Sequence, residues 1–289
     1  MPHIRGRYRS VPAAEVAAEV AELVAGGVRE VVLVAQDTGI WGRDLARDDD
    51  DGDGARGARD LASLLDLLAM RFPTTWIRVM YLQPQGITDG LLAVMARHAN
   101  ICNYLDIPLQ HADARVLREM GRTGSAQESL ALLARCRAAL PDVALRTTVI
   151  AGFPGEGRSE AHRLERFIED AAFDYVGVFP YSQEEGTVAG QRPDQVPLRT
   201  RRARAQRLRD IADACGAARI AARVGTTEDV LVVEDDAQEG LLGRTQRQAP
   251  EVDGMVHLDR GDIGEVVSAT MFDACCYELD GRVTDCPHA

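Results

Sequence analysis

Along the first 180 residues the apolar positions switch between two periods. "VPAAEVAAEVAELVAGG" places them at helical spacing, with Pro12 suited to a first turn and Gly26-Gly27 closing it. "REVVLVAQD" then gives a short β-branched run, the pattern of a parallel strand covered on both faces. Helical spacing returns in "ARDLASLLDLLAMRF", "TDGLLAVMARHA", "SAQESLALLARCRAALP" and "SEAHRLERFIEDAAF". Between these lie the strand-like "WIRVMYLQP", "NYLDIPLQHAD", "VALRTTVIAGFPGE" and "DYVGVFPYSQEEGT". Five βα-type units predict a parallel sheet with right-handed crossovers. Chemistry in such folds sits at the carboxyl ends of the strands. The polar residues gather there: Gln36 and Asp37, Gln83, Gln110 and His111, Gly152 to Glu156, and Tyr181 to Glu185.

Two stretches break the alternation. "ARDDDDGDGARGARD" is too acidic and glycine-rich to bury much surface, which predicts a solvated loop. A calcium loop is the sharper alternative, but the closing glutamate that chelation wants is missing. From Pro197 to Arg223 runs a long helix rich in arginine and alanine, expected to connect two modules with a solvated basic face. A nucleic-acid arm is the alternative; no aromatic residues interleave its arginines. After Val224 short strands alternate with glycines and aspartates, which predicts a small antiparallel barrel of OB-like type. The expected domains are residues 1–196, a connecting helix at 197–223, and a barrel at 224–289.

Composition narrows the function. The 289 residues carry a net charge of −12, with 46% hydrophobic residues, and a mean hydropathy of −0.17. No apolar run approaches the roughly 20 residues needed to cross a bilayer, so the expectation is a cytoplasmic protein. Net acidity argues against general affinity for nucleic acid. Every basic residue besides histidine is an arginine. The six cysteines, Cys102, Cys136, Cys215, Cys275, Cys276 and Cys286, form no CxxC pair. The expectation is free, mostly buried thiols and no metal-ligand set.

The strand-end loops "VLVAQDTGIWGRDL", "YLQPQGIT", "DIPLQHADARVLREMGR", "LRTTVIAGFPGE", "VGVFPYSQEEGT" and "GRTQRQAPEVDG" resemble, in order, those of the radical-SAM methylthiotransferases. The last two resemble the branch that methylthiolates an aspartate of the twelfth small-subunit ribosomal protein. The resemblance implies an α/β fold: a partial (β/α)6 radical-SAM TIM-like barrel lacking its first strand, followed by a small OB-like TRAM β-barrel. It implies S-adenosyl-L-methionine (SAM) and 4Fe-4S clusters as cofactors. The opening "MPHIRGRYRS" reads on composition alone as a solvated leader. Beside the family's "IPxxRGxxRSRP" it resembles the tail of the CxxxCxxC cluster loop, with Met1 where isoleucine is usual. The expectation is therefore a truncated chain without that loop or the N-terminal domain, inactive alone. None of its six cysteines would replace the three ligands.

The resemblance also proposes a cofactor wall. Gln36 and Asp37 would contact the SAM amino group, the alternative being a helix cap or a loop hydrogen bond. Gln110 and His111 close the fourth family strand, although a lone histidine is as readily a structural hydrogen-bonder. Arg122 would pair with the SAM carboxylate or lie on the surface. Arg146 and Thr147 would lie near the ribose. Gly152, Phe153, Pro154, Gly155 and Glu156 would line the adenine, or form a plain β-turn. Phe179 and Tyr181 would flank the cofactor or pack in the core. No residue is assigned a catalytic role.

The last 66 residues hold fifteen carboxylates and four arginines. A surface so acidic repels phosphate and favours a basic protein such as a ribosomal protein. It argues against the tRNA-modifying branch. A non-catalytic module that binds the ribosomal partner is the reading from a different class. Two structural expectations follow: an exposed apolar edge on "REVVLVAQ" with poor solubility, and a substrate loop adding to the edge of "EDVLVVEDD".

Overall fold

The computed structural model describes residues 7–45 and 58–284. The acidic glycine-rich stretch, with its calcium alternative, falls largely at 46–57, outside the described residues; so do Arg5 and Cys286. The chain divides into two compact units, Met1–Asn103 and Tyr104–Ala289.

In the first unit, helix α1 (Ala13–Ala25) leads into strand β1 (Glu30–Leu33), then α2 (Leu61–Arg71), β2 (Trp76–Val79) and α3 (Asp89–Arg97). α2 forms where its pattern says it should. Leu61, Leu64, Leu65 and Leu68 repeat at i, i+3, i+4 and i+7 and are all buried. Asp60 accepts the Ser63 amide at 2.8 Å to cap its start. β1 and β2 pair in parallel, Val31 opposite Ile77. β1 pairs on one side only among the described residues, so the expected open edge is present. All four residues of β2 are buried, Arg78 included. Its guanidinium meets Glu30 at 2.6 Å, the pairing that makes a buried charge tolerable.

The described part of the opening stretch is anchored at Ser10, just after the exposed Arg7 and Arg9. Ser10 is only 4% exposed. Its amide donates to Asp44 Oδ2 at 2.8 Å and its hydroxyl accepts the Gly42 amide at 2.9 Å. Trp41 Nε1 donates to the Val11 carbonyl at 3.0 Å.

In the second unit, β3 (Tyr104–Asp106), β4 (Ala144–Ala151) and β5 (Tyr175–Pro180) form a parallel sheet in that order. The crossovers hold α4 (Ala114–Glu119), α5 (Ala126–Ala139) and α6 (Arg158–Ala171). The six-residue α4 lies in a segment that the pattern of apolar positions leaves unassigned. Asp113 starts it, accepting the amides of Arg115 and Val116. α6 buries Ala161, Leu164, Phe167, Ile168 and Ala171 along one stripe, and Glu165 is buried beside them.

Helix α7 (Leu198–Ala221) corrects the expectation of a simply solvated basic face. Its buried stripe runs Arg201, Ala205, Leu208, Ala212, Gly216 and Ile220, so an arginine stands in the apolar row. Arg204 and Arg209 donate to the carbonyls of Glu156 and Val178. They satisfy strand-end and loop backbone that would otherwise lack partners.

Beyond α7, β6 (Thr227–Asp236), β7 (Gly240–Thr245), β8 (Val256–Leu258), β9 (Val266–Cys275) and β10 (Glu278–Val283) close a barrel in the order β10-β8-β7-β6-β9. All pairings are antiparallel except β8 with β10, where the barrel closes. β6 is paired along both flanks, with β7 and with β9. Pairing with β9 covers Thr227–Leu231 and pairing with β7 covers Val230–Asp236, so each flank is already partly taken where strand addition was expected. The cysteines also differ from expectation. Of the five described, Cys102 and Cys136 are buried, Cys215 is half-buried, and Cys275 and Cys276 are exposed.

Candidate cofactor site

The expected residues divide between the two units. In the first, Gln36 and Asp37 follow β1. Asp37 precedes a 3₁₀ turn, Thr38–Ile40, but its side chain does not cap it, so the capping alternative is not what the turn shows. Thr38 instead fixes the loop. Its amide donates to the Tyr81 carbonyl at 3.2 Å, and its hydroxyl to the Met80 carbonyl at 2.7 Å. Gly39 meets Gly86 of the loop after β2 so closely that a Cβ on Gly39 would lie 2.7 Å from the Gly86 Cα. No other residue type fits that crossing.

In the second unit, the carboxyl ends of β3, β4 and β5 bring Gln110, His111, Gly152 to Glu156 and Tyr181 together. The chain beyond β3 stays beside β4. The Gln110 amide donates to the Thr148 carbonyl at 2.8 Å, and its carbonyl accepts the Ile150 amide at 2.8 Å. Gln110 itself has φ 69, a conformation costly for a residue with a side chain. Strain of this kind at a strand end directs attention to function.

His111 is fully buried. Its Nδ1 accepts the Asp113 amide at 2.9 Å, which leaves the neutral ring's proton on Nε2. Nε2 faces Glu156 Oε2 at 3.4 Å without completing a hydrogen bond. Glu156, 4% exposed, is held firmly. Oε2 accepts the Gly152 amide at 2.7 Å and Oε1 accepts Arg204 Nη1 at 2.7 Å. The carboxylate thus closes the turn Gly152 to Glu156 on itself and fastens it to α7. This is more than an isolated β-turn.

Gly152 has φ 77, and a Cβ there would lie 2.6 Å from Arg201 Cγ and 3.0 Å from Arg201 Cα. Arg201 packs under the turn. It donates to the carbonyls of Val196 at 2.6 Å and Tyr181 at 3.2 Å, and to Gln195 Oε1 at 2.8 Å. Its guanidinium also lies 5.0 Å from the centre of the Tyr181 ring. Phe153 is buried edge-on to Tyr181, with ring centres 5.3 Å apart. On the outer side, the Gly155 amide donates to the Asp194 carbonyl at 2.9 Å, and its carbonyl accepts Arg115 Nη2 at 2.9 Å. The Tyr181 hydroxyl is buried with no hydrogen-bond partner among the described residues.

Other expected residues have different surroundings. Arg122 Nη1 donates to the Pro108 carbonyl at 3.0 Å, beside the strand-end loop. The Thr147 hydroxyl is buried and donates to the Ile107 carbonyl at 2.7 Å, stapling β4 to the chain beyond β3. Arg146 pairs with Asp106 at 3.0 Å and with Asp253 of the barrel module at 3.6 Å. Phe179 is 56% exposed.

Sequence reasoning missed Arg201, Arg204, Arg115 and Asp194. The signal for Arg201 was available. It occupies the same helical stripe as Ala205, Leu208 and Ala212, so periodicity places a guanidinium in a buried row.

Asp113 illustrates the electrostatics. Burial would raise its carboxyl pKa, but the Val116 and Arg115 amides and the Arg163 guanidinium together hold it below the usual carboxylate range. No group of three or more His, Cys, Asp or Glu able to hold a metal occurs among the described residues. No helix among them is long and apolar enough to cross a membrane. The cluster at the carboxyl ends has backbone donors and acceptors, a constrained glycine and apolar walls. Such a site can bind and orient a cofactor.

The sequence matches the family model of the radical SAM superfamily over residues 1–168, and that of the TRAM domain over residues 224–284. It is 40% identical over 288 residues to "Ribosomal protein uS12 methylthiotransferase RimO" of Geobacter sulfurreducens, covering 98% of this chain and 62% of that protein. Proteins of the same name from Trichlorobacter lovleyi and Chloroflexus aurantiacus are each 41% identical, over 96% and 98% of this chain and 61% of their own lengths. The chain thus spans about three-fifths of the length of these curated relatives. With its parallel βα units, its strand-end glycine turn and a model match over more than half its length, the chain belongs to the radical SAM superfamily.

Proposed function

We propose that this chain is the SAM-binding and TRAM portion of a methylthiotransferase that modifies an aspartate of small-subunit ribosomal protein uS12. Residues 1–196 form the cofactor layer, 197–223 the connecting helix and 224–289 the TRAM module. One observation carries the reading: likeness of about 40% to the RimO proteins extends over 98% of the chain, through both the cofactor layer and the barrel.

The turn Gly152 to Glu156 fits the adenosyl part of SAM. Its left-handed glycine admits a ligand close to backbone, and the buried Tyr181 hydroxyl is a hydrogen-bonding group in want of a partner. Gln110, His111, Phe153, Pro154 and Gly155 complete that wall, and Arg122 stands beside it. Gln36 and Asp37 are proposed for the SAM amino group, and Phe179 for the rim. Arg146 and Thr147 enter as supports rather than ligands, since their polar atoms already hold the sheet and barrel. SAM, once bound at a reduced iron–sulfur cluster, supplies the hydrogen-abstracting chemistry. The described cysteines, Cys102, Cys136, Cys215, Cys275 and Cys276, offer no triplet for such a cluster.

The acidity of the barrel supports a basic protein partner over nucleic acid. Such a reaction belongs in the cytoplasm, where ribosomal proteins are assembled. Calorimetric titration with SAM tests the site. One site is expected in the native chain, with the affinity lost in Gly152→Val. Absence of binding by the folded native chain overturns the assignment.

A further inference from the structure

The turn between β9 and β10 carries chemistry that the cofactor reading does not use. Cys275 ends β9, Cys276 and Tyr277 make the turn, and both cysteines are exposed. Cys275 pairs across the hairpin with Glu278, and Cys276 is held at φ 55. The turn is anchored. The Tyr277 hydroxyl donates to Asp213 Oδ1 at 2.9 Å, and its ring lies 5.8 Å from that of Tyr175. Gly216 of α7 fits beneath that ring, where a Cβ would come within 2.6 Å of it. Two adjacent thiols are therefore presented side by side on a fixed support.

The pair is remote from the cofactor cluster. Tyr277 rests on the first residue of β5, while Tyr181 follows its last. At about 3.3 Å per strand residue the two ends lie roughly 20 Å apart. Delivery of a group from these thiols to the carboxyl ends is therefore excluded. What remains is chemistry at the turn itself.

We propose that Cys275 and Cys276 form a reversible two-electron redox site that closes to an intramolecular disulfide under excess oxidised glutathione. The Cys276 thiolate attacks one glutathione sulfur, forming a mixed disulfide and releasing one glutathione thiolate. The Cys275 thiol then loses its proton, attacks the Cys276 sulfur and expels the second. The protons of the two protein thiols end on two glutathione thiols, and two electrons pass to the original disulfide. Charge from Cys276 and its hydrogen bond to Cys275 raise the Cys275 pKa, so Cys275 resolves rather than attacks. Asp273 and Asp280 flank the pair. They disfavour retention of an anionic glutathione adduct.

The bond would be labile. Adjacent Cα atoms stand about 3.8 Å apart across a trans peptide, inside the roughly 4.4 Å minimum of ordinary disulfides. Strain of that kind raises the reduction potential and marks regulatory rather than structural disulfides.

The test is incubation of the reduced chain with oxidised glutathione, followed by thiol alkylation and peptide mapping. The expected product is a peptide in which Cys275 and Cys276 have together lost two hydrogens and resist alkylation until dithiothreitol is added. Cys275→Ser should accumulate a glutathione adduct on Cys276, and Cys276→Ser should not close. Thermal unfolding checks that both variants fold. Persistent glutathione adducts on native Cys275 or Cys276, a disulfide that enlists Cys215 or Cys286, or an unaltered pair would each overturn the proposal.

Discussion

The two ends of the β3-β4-β5 sheet are both polar and both largely buried, yet they are built in opposite ways. At the carboxyl ends the organising atoms belong to backbone: the Gly152 amide on Glu156, the Gly155 amide and carbonyl, and the Gln110 peptide held beside β4. At the amino ends side chains hold one another. Asp253 reaches from the barrel module to accept the Tyr104 hydroxyl at 2.7 Å and the Ala249 amide at 2.8 Å. It also meets Arg146 at 3.6 Å. A ligand site needs backbone within reach, so glycine enters, and the side chains there, Glu156, Arg201 and Arg204, serve to hold backbone in place. A face that only joins two modules can fill with charged and aromatic groups. Both Tyr104 and Tyr175 follow that rule, their hydroxyl pKa values raised first by burial and then by Asp253.

The largest expected effect lies at the joining face. Asp253→Ala removes the acceptor of the Tyr104 hydroxyl and the Ala249 amide, while Arg146 keeps Asp106. It should destabilise the second unit by about 3–5 kcal/mol in urea unfolding, roughly the cost of two orphaned buried donors, while the carboxyl-end turn keeps its geometry. A loss below ~1 kcal/mol would mean that water replaces Asp253 and that the contrast between the ends is superficial.

Gly152→Ala comes next and probes the opposite end. The new methyl group would meet Arg201 and force a left-handed φ on alanine. A cost of about 1–3 kcal/mol is expected, together with a clear loss of SAM affinity. Gly177→Ala on the same sheet is the control. Its Cβ would meet Phe179 Cε2 at 3.3 Å, an exposed ring free to move, and both properties should change little. If the two variants behave alike, the turn is not the cofactor wall.

The same contrast explains what was legible in the sequence. Backbone-built features leave marks: glycines in "AGFPGE", β-branched runs ending in polar residues, and Leu61, Leu64, Leu65 and Leu68 at helical spacing. These gave the five parallel strands, the terminal barrel and the turn at residues 152–156. Side-chain-built features leave almost none. Nothing near Arg146 announces Asp253, more than one hundred residues away, so Arg146 reads as a ligand when its guanidinium in fact ties sheet to barrel. Thr147 is similar, since only the path of the chain beyond β3 shows where its hydroxyl goes. The arginines of α7 look like surface charge because composition is read before periodicity. Local pattern also missed the six-residue α4, whose two buried apolar residues, Val116 and Leu117, are too few to set a period.

A smaller effect separates the barrel from both ends. Arg223 is paired with Glu228 at 2.7 Å in a nearly buried setting. Burial alone would raise the Glu228 carboxyl pKa, but the hydrogen bonds and charge of Arg223, with Arg247 and Thr226, hold it below the ordinary value of 4.5. A carboxyl depressed in the folded state contributes stability above 4.5 that disappears as pH falls through the lowered value. Glu228→Gln keeps most hydrogen bonds and loses the charge. It should cost about 1 kcal/mol at neutral pH, and the native and variant stability curves should converge on acidification. Parallel curves down to low pH would show that Glu228 acts by shape alone.

The smallest effect is expected at an exposed cluster of charges on the rim of the carboxyl ends. Arg192 meets Asp194 at 2.7 Å and Glu119 at 3.0 Å, just outside the Gly155 peptide. The hydrogen bonds it donates to Asp194 and Glu119 raise its guanidinium pKa, which looks like strong coupling. Asp194 is open to water, however, and water screens such pairs. Arg192→Gln should therefore shift stability by no more than about 0.5 kcal/mol, and added salt should abolish even that difference. The Gly155 amide bonds to the Asp194 carbonyl rather than to its carboxylate, so SAM affinity should survive the substitution. If Arg192→Gln instead weakens the site as much as Gly152→Ala does, the rim of charges holds the turn in place, and the division between a backbone-built end and a side-chain-built end no longer stands.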